Sequence, residues 1–195
     1  MIRTIEPPPA AISAAESKMA EVIGGRTHTV INNLSERDRN NTHVSVPHNV
    51  YDLRLDTLLS QGPMPTDPTA LHMFVGHGET ISSMLQLHPE EFLVQGFQYS
   101  AEVAAATQRA IDSAAALPEV QSKDFELRML RIPALNVMAV WLKDPSGKDD
   151  RLVPVGPTDP ALVVHRPYTV DEFMKIVHDR ATFLYGGKDA SEMGG

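Results

Sequence analysis

One stretch of the chain constrains the fold more than any other, residues 131–157, which read RIPALNVMAVWLKDPSGKDDRLVPVGP. Between Leu135 and Leu142 nearly every residue is apolar, so both faces of an extended segment would be hydrophobic. A strand of this kind is covered on both sides or lies at the centre of a sheet. The run therefore predicts a buried strand with Trp141 in the core, rather than a substrate groove or a partner-binding edge.

The neighbouring segments predict further strands. DFELRMLRI alternates apolar and charged residues, as a half-buried strand does, and RLVPV follows a turn rich in Pro, Gly and Asp. Pro154 indicates an edge or bulged strand, because proline cannot donate to a ladder. Upstream, ALHMFVGHGETISSMLQLH predicts a hairpin that turns around Gly78 and Glu79.

Two longer segments predict helices. YSAEVAAATQRAIDSAAALPEV carries an apolar stripe between a candidate N-cap, Ser100, and a terminating Pro118. TVDEFMKIVHDRATFLYGG opens with T-x-x-E, so Thr169 and Glu172 predict a capping box. Strands in adjacent runs predict an α+β fold, an antiparallel sheet of about five to six strands with helices packed on it.

The first part of the chain has a different character and predicts an N-terminal helical arm. We divide the chain into an arm and linker (1–45), an α+β domain (46–187) and a polar tail (188–195). The helix predicted from AAISAAESKMAEVIGG has too few large side chains to be stable alone. Its stripe is predicted to bind a protein partner or a second subunit, through Ile12, Met19, Val22 and Ile23. Docking on its own domain is the alternative.

Composition excludes several classes of function. The 195 residues carry a net charge of −8, which argues against binding to nucleic acid or to an anionic membrane. The absence of cysteine excludes disulfides, thiolate nucleophiles and cysteine-based zinc sites. No run approaches the ~18 apolar residues of a membrane span, and the N-terminus lacks the apolar core of a signal peptide. These features predict a cytoplasmic protein.

The candidate chemistry is sparse, since the common nucleotide-binding, hydrolase and metal-binding motifs do not occur. The weak metal candidates are His72, His77, Glu79 and His88. Hairpin spacing places His77 roughly 15 Å from the other two histidines, so the ligands do not converge, and we predict no metal and no cofactor. Acidic pairs such as Asp149 and Asp150 are interpreted as solvated charge.

The C-terminal half also resembles a known type of protein. DFELRMLRIPALNVMAVWLK, followed by LVPVGP and RPYTVDEFM, resembles a recurrent block in uncharacterised bacterial proteins, where a similar R-I-P-A-L strand pair precedes an R-P-Y helix start. The resemblance covers residues 120–177. It implies a bacterial or phage-like source and a shared α+β core, and it carries over no catalytic residue.

The function favoured by these observations is that of a non-enzymatic interaction or structural protein, which assembles with itself or with a protein partner. The missing motifs and the amphipathic arm support it. One alternative is a small hydrolase or metal-dependent enzyme built on the His72–His88 hairpin. Another is a small-ligand sensor with an apolar pocket between the alanine-rich helix and the sheet.

Overall fold

The structure, a computed structural model, describes residues 1–24, 42–77, 80–98 and 101–186. Backbone contacts group the chain into two units. The first unit contains residues 1–3, 51–67 and 109–195, and the second contains residues 4–50 and 68–108.

The described residues form an α+β fold of five helices and nine strands. The helices are α1 Pro9–Gly24, α2 Leu55–Leu59, α3 Ala101–Ala115, α4 Pro118–Ser122 and α5 Val170–Tyr185. The strands are β1 Ile2–Arg3, β2 Thr42–Asp52, β3 Ala70–His77, β4 Thr80–Leu87, β5 Val94–Gln98, β6 Phe125–Ile132, β7 Val137–Lys143, β8 Arg151–Pro154 and β9 Tyr168–Thr169.

In the second unit the strands follow the antiparallel order β5–β4–β3–β2. β3 and β4 are the two strands of the predicted hairpin, and its turn residues Gly78 and Glu79 lie outside the described part of the chain. Helix α1 packs on one face of these strands. Its inward-facing side chains share a buried cluster with alternate residues of β3 and β4; the members are Ala11, Ala15, Met19, Leu71, Met73, Val75, Leu85 and Leu87.

In the first unit β6 and β7 form an antiparallel hairpin, β8 and β9 continue beyond β7, and β1 runs parallel to β6. A single 3-10 turn, Pro133–Leu135, closes the hairpin, and Asn136 completes it with a positive φ of 51°. Trp141 is 2% exposed on one face of β7, while Val140 and Leu142 are fully buried on the other. The prediction of a strand buried on both faces is therefore confirmed.

Helix α5 covers one face of the first unit's strands, with Phe173, Val177 and Ala181 buried in the same cluster as Trp141. The predicted capping box is present at its start. The Glu172 backbone N–H donates to Thr169 Oγ1 over 3.2 Å, and the Thr169 N–H donates to Glu172 Oε2 over 3.0 Å. Both N-terminal donors are thus satisfied within one turn.

Two details differ from the sequence prediction. Nine strands exceed the expected five to six, because β1 and β9 have two residues each, too few to show alternation, and β5 contains Gly96. Strand β8 is not an edge strand along its whole length, because β9 pairs with its outer side at Arg151 and Leu152; Pro154 lies beyond that pairing. The division of the chain at residues 45 and 46 stays a prediction; the position lies within β2, and residues 25–41 and 187–195 of the linker and tail lie outside the described ranges.

Candidate functional site

An open recess of about 690 Å³ lies in the first unit, beside β7, the loop from β7 to β8 and the start of α5. Met64, Trp141 and Val170 contribute its apolar surface. Seven of its lining residues are charged, four cations and three carboxylates: Arg128, Lys143, Lys148, Arg151, Asp149, Asp150 and Asp171.

Arg128 joins the recess to the aromatic core beneath it. The β6–β7 register places Arg128 opposite Trp141, and the guanidinium carbon lies 4.9 Å from the Tyr51 ring centroid and 5.2 Å from that of Trp141. Glu126, two residues earlier on the same face, accepts from Nε at 2.8 Å and from Nη2 at 3.0 Å. Two aromatic faces and a bidentate carboxylate therefore hold one guanidinium in place.

Asp150 is the buried acid of the recess, with 6% of its surface exposed. Its Oδ2 accepts from Trp141 Nε1 at 2.8 Å and from Lys143 Nζ at 3.1 Å, and its Oδ1 accepts from the Asp144 backbone N–H at 2.9 Å. The prediction that Asp150 is solvated is wrong, because the loop folds back over the end of β7. Burial of the charged carboxylate is tolerated because three donors replace the hydrogen bonds that water would provide.

A second buried acid, Asp144, organises the loop between β7 and β8. Its carboxylate accepts from the backbone N–H groups of Ser146, Lys148 and Asp149, from the Ser146 hydroxyl at 2.5 Å and from Lys123 Nζ at 3.1 Å. The hydrogen bond from the Ser146 hydroxyl is the largest of the effects that hold the pKa of Asp144 well below its usual range. The hydrogen bond from Lys123 also lowers this pKa, whereas burial of the carboxylate raises it. The loop is thereby fixed, and it carries Lys148 at an exposed position beside the recess.

The remaining charges of the recess differ in how fully they are neutralised. Asp149 pairs with Lys123 at 2.7 Å, and Arg151 Nε donates to Glu119 at 3.1 Å. Within the described part of the chain, the ammonium of Lys148 has no carboxylate within 4 Å. Counted over the described residues, the recess therefore contains one cation, Lys148, and one carboxylate, Asp171, without an ion pair, beside several charges that are paired.

A smaller recess of about 530 Å³ lies next to α2 and α5 and shares Met64, Val170 and Asp171 with the first. His178 lies in its wall. Because a carbonyl can only accept, the 2.9 Å contact between His178 Nδ1 and the Leu58 carbonyl places a proton on Nδ1. In the neutral ring Nε2 then accepts from the Gln61 amide nitrogen at 3.0 Å. His178 has both ring nitrogens engaged and ties α2 to α5.

The structure separates the predicted metal candidates. His72 is 2% exposed and its Nε2 donates to Gln86 Oε1 at 3.1 Å, whereas His88 Nδ1 accepts from the backbone N–H of Glu91 at 3.1 Å in the turn after β4. The side chains of His77 and Glu79 lie outside the described residues. In the ranges that the structure does describe, no three His, Asp or Glu side chains come close enough to hold a metal ion.

The neighbour of His72 is a histidine that the sequence analysis did not single out. His48 on β2 lies opposite His72 on β3, with ring centroids 5.7 Å apart. His48 is fully buried, and its Nδ1 donates to the Val46 carbonyl at 2.8 Å. Burial lowers the pKa of His48 to about 4, against the opposing effect of the bond to Val46, so the ring is neutral near pH 7.

The residues predicted to contact a partner through α1 take different positions. Met19 is 8% exposed and belongs to the buried cluster of its own unit, as the docking alternative expected. Ile12 is 40% exposed. The side chains of Val22 and Ile23 lie outside the described part of the structure.

The largest exposed apolar side chain on a helix is Phe183 of α5, at 79% exposed. The guanidinium carbon of Arg180 lies 5.6 Å from its ring centroid, and Arg180 Nε donates to the buried Asp159 at 2.8 Å. The loop that Asp159 belongs to carries Val163 and Val164, which are 57% and 41% exposed. We call Phe183, Arg180, Val163 and Val164 the Phe183 surface.

Comparison with known proteins adds no relative, since neither a family model, nor a curated protein, nor a solved structure matches the chain. The resemblance to a bacterial sequence block stays a prediction. In the described residues no helix has the length and apolar character needed to cross a membrane.

Proposed function

We propose that this protein is a non-enzymatic interaction protein that assembles with a second copy of itself or with a protein partner through the Phe183 surface. The observation that carries the proposal is the exposure of Phe183. A phenylalanine with 79% of its surface in water gains about 1.5–3 kcal/mol when it is fully buried.

The surroundings of Phe183 support the same conclusion. Energetically dominant interface residues are enriched in aromatic side chains and arginine, and Arg180 lies over the Phe183 ring. Its ion pair with Asp159 holds the guanidinium in place, so Arg180 loses less side-chain freedom when a partner binds. Val163 and Val164 add exposed apolar area on the loop that Asp159 anchors.

The test is the mass of the protein in solution as a function of concentration, measured by light scattering after size exclusion. Phe183→Ser is the test variant, and Leu93→Ser is the matched control, because Leu93 is also apolar and 63% exposed but lies in the second unit. We expect the wild type and Leu93→Ser to associate as concentration rises, and Phe183→Ser to stay monomeric.

A partner of a different kind is tested by a photo-crosslinking amino acid at position 183, compared with the same amino acid at position 93. A discrete crosslinked product from position 183 alone identifies the partner surface. A wild-type protein that is monomeric at every concentration and gives no product specific to position 183 contradicts the proposal.

A further inference from the structure

We infer that the 690 Å³ recess of the first unit is a binding site for a small organic or inorganic oxyanion, a compound that carries carboxylate or phosphate groups. This inference is independent of the Phe183 surface. It also places the ligand elsewhere than the predicted pocket of a sensor, because the recess is lined by β7, the loop after it and α5 rather than by the alanine-rich helix α3.

Several N–H groups of the cations in the recess have no acceptor among the described residues, whereas two of its three carboxylates, Asp149 and Asp150, already accept hydrogen bonds. The third carboxylate, Asp171, lies exposed at the start of α5. Both oxygens of Asp150 already accept from Trp141, Lys143 and the loop backbone, and Asp149 is bound by Lys123. Lysine has three N–H donors, and Lys143 uses one of them on Asp150. Lys148 donates no side-chain hydrogen bond to any described residue.

The guanidinium groups add to these donors. Arg128 binds Glu126 through Nε and Nη2, and Arg151 binds Glu119 through Nε and two backbone carbonyls through Nη1. In the described part of the chain, Nη1 of Arg128 and Nη2 of Arg151 have no acceptor. A ligand that completes these groups must bring acceptors, and oxyanions are the acceptors that guanidinium and ammonium groups bind most strongly.

Arg128 and the backbone that carries Lys148 are held in position before a ligand arrives. Arg128 lies against the rings of Tyr51 and Trp141, and the Asp144 hydrogen bonds fix the loop that carries Lys148. Little freedom of the Arg128 side chain and of the loop backbone is then lost on binding, which favours affinity. The volume of about 690 Å³ falls within the range of small-molecule sites.

The chain as a whole carries a charge of −8 and therefore repels anions in general. The lining of the recess is less negative than the chain as a whole, with four cationic side chains against three carboxylates, while Glu126 and Glu119 outside the lining pair with Arg128 and Arg151. Anion binding at this place is thus a local property of the recess and should weaken as added salt screens its charges.

Trp141 makes the test direct, because it is the only tryptophan in the chain and its ring nitrogen is bonded to Asp150 in the recess. Citrate and pyrophosphate are titrated separately while Trp141 fluorescence is recorded, with calorimetry as a readout that does not depend on the tryptophan. Glucose is the neutral control ligand. The two anions distinguish a carboxylate site from a phosphate site.

The variants are Lys148→Gln in the recess and Lys18→Gln on α1, which removes the same charge in the second unit. We expect at least one anion to bind, glucose not to bind, and Lys148→Gln to weaken anion binding by about tenfold. Lys18→Gln should bind like the wild type. The inference is overturned if neither anion produces a fluorescence change or heat, if glucose binds equally well, or if both lysine variants behave alike.

Discussion

Replacing Trp141 tests whether the hairpin of β6 and β7 forms the core of the first unit. The ring is 2% exposed, packs edge-on against Tyr51 with centroids 5.3 Å apart, and donates to the buried Asp150. Removal of a buried aromatic ring costs about 3–5 kcal/mol. Trp141→Ala also removes one of the two donors to Asp150 Oδ2, so we expect a loss of stability near the upper end of that range.

Trp141→Phe separates packing from hydrogen bonding. Phenylalanine retains a ring against Tyr51 but cannot donate to Asp150. A hydrogen bond to a charged group contributes about 1.5–3 kcal/mol, which is the expected loss of stability for this variant. Leu93→Ala is the control, because the Leu93 side chain is exposed and lies outside the Phe183 surface, and its effect should stay within about 0.5 kcal/mol.

The measurement is urea unfolding followed by far-ultraviolet circular dichroism, because the substitutions remove the only tryptophan. A loss below about 1 kcal/mol for Trp141→Ala would falsify the placement of this side chain in the core. Equal losses for Trp141→Ala and Trp141→Phe would instead show that the hydrogen bond, and not the packing of the ring, provides the stability.

Three further predictions concern single groups. Thr169→Ala should cost about 0.5–2 kcal/mol in urea unfolding through loss of the α5 cap, and an unchanged midpoint would contradict this. Since the folded pKa of His48 is about 4 against an ordinary 6.5, the unfolded chain binds the proton first, so stability should fall by up to about 3 kcal/mol as pH drops through that window. His48→Gln, which cannot titrate, should lack this component, and a parallel decline in both proteins would refute it. The depressed pKa of Asp144 stabilises the fold above its ordinary value of 3.8, and this stability is lost as pH falls below that value. Asp144→Asn should already be destabilised at neutral pH and should lose less in acid; a variant as stable as the wild type would contradict this.

Local patterns in the sequence were sufficient to predict several elements. The run ending at Leu142 identified the buried strand β7, because a segment that is apolar on both faces has no solvated side. The T-x-x-E spacing located the start of α5, because a capping box involves only four consecutive residues. Short strands such as β1 and β9 carry no such local signal, because they are extended only through their pairing with β6 and β8.

The recess could not be identified from local patterns, although part of its signal was present. Alternation along β6 placed Glu126 and Arg128 on one face, but their meeting with Trp141 depends on the register set by the turn at Pro133. The polar face of β6 indicates a cation packed against aromatic rings only once that register is known. Asp150 was misjudged for a related reason, because burial of its carboxylate results from the path of a loop.

By itself, then, the amino-acid order determined the longer helices and the strands β3, β4, β6, β7 and β8, together with which of their faces are apolar. The tertiary structure alone decided that α1 docks through Met19, that His48 lies opposite His72, and that Phe183 is left exposed. The physical reason is range. Propensity, periodicity and capping act between residues a few positions apart, whereas burial and charge pairing depend on groups that only the folded chain brings together.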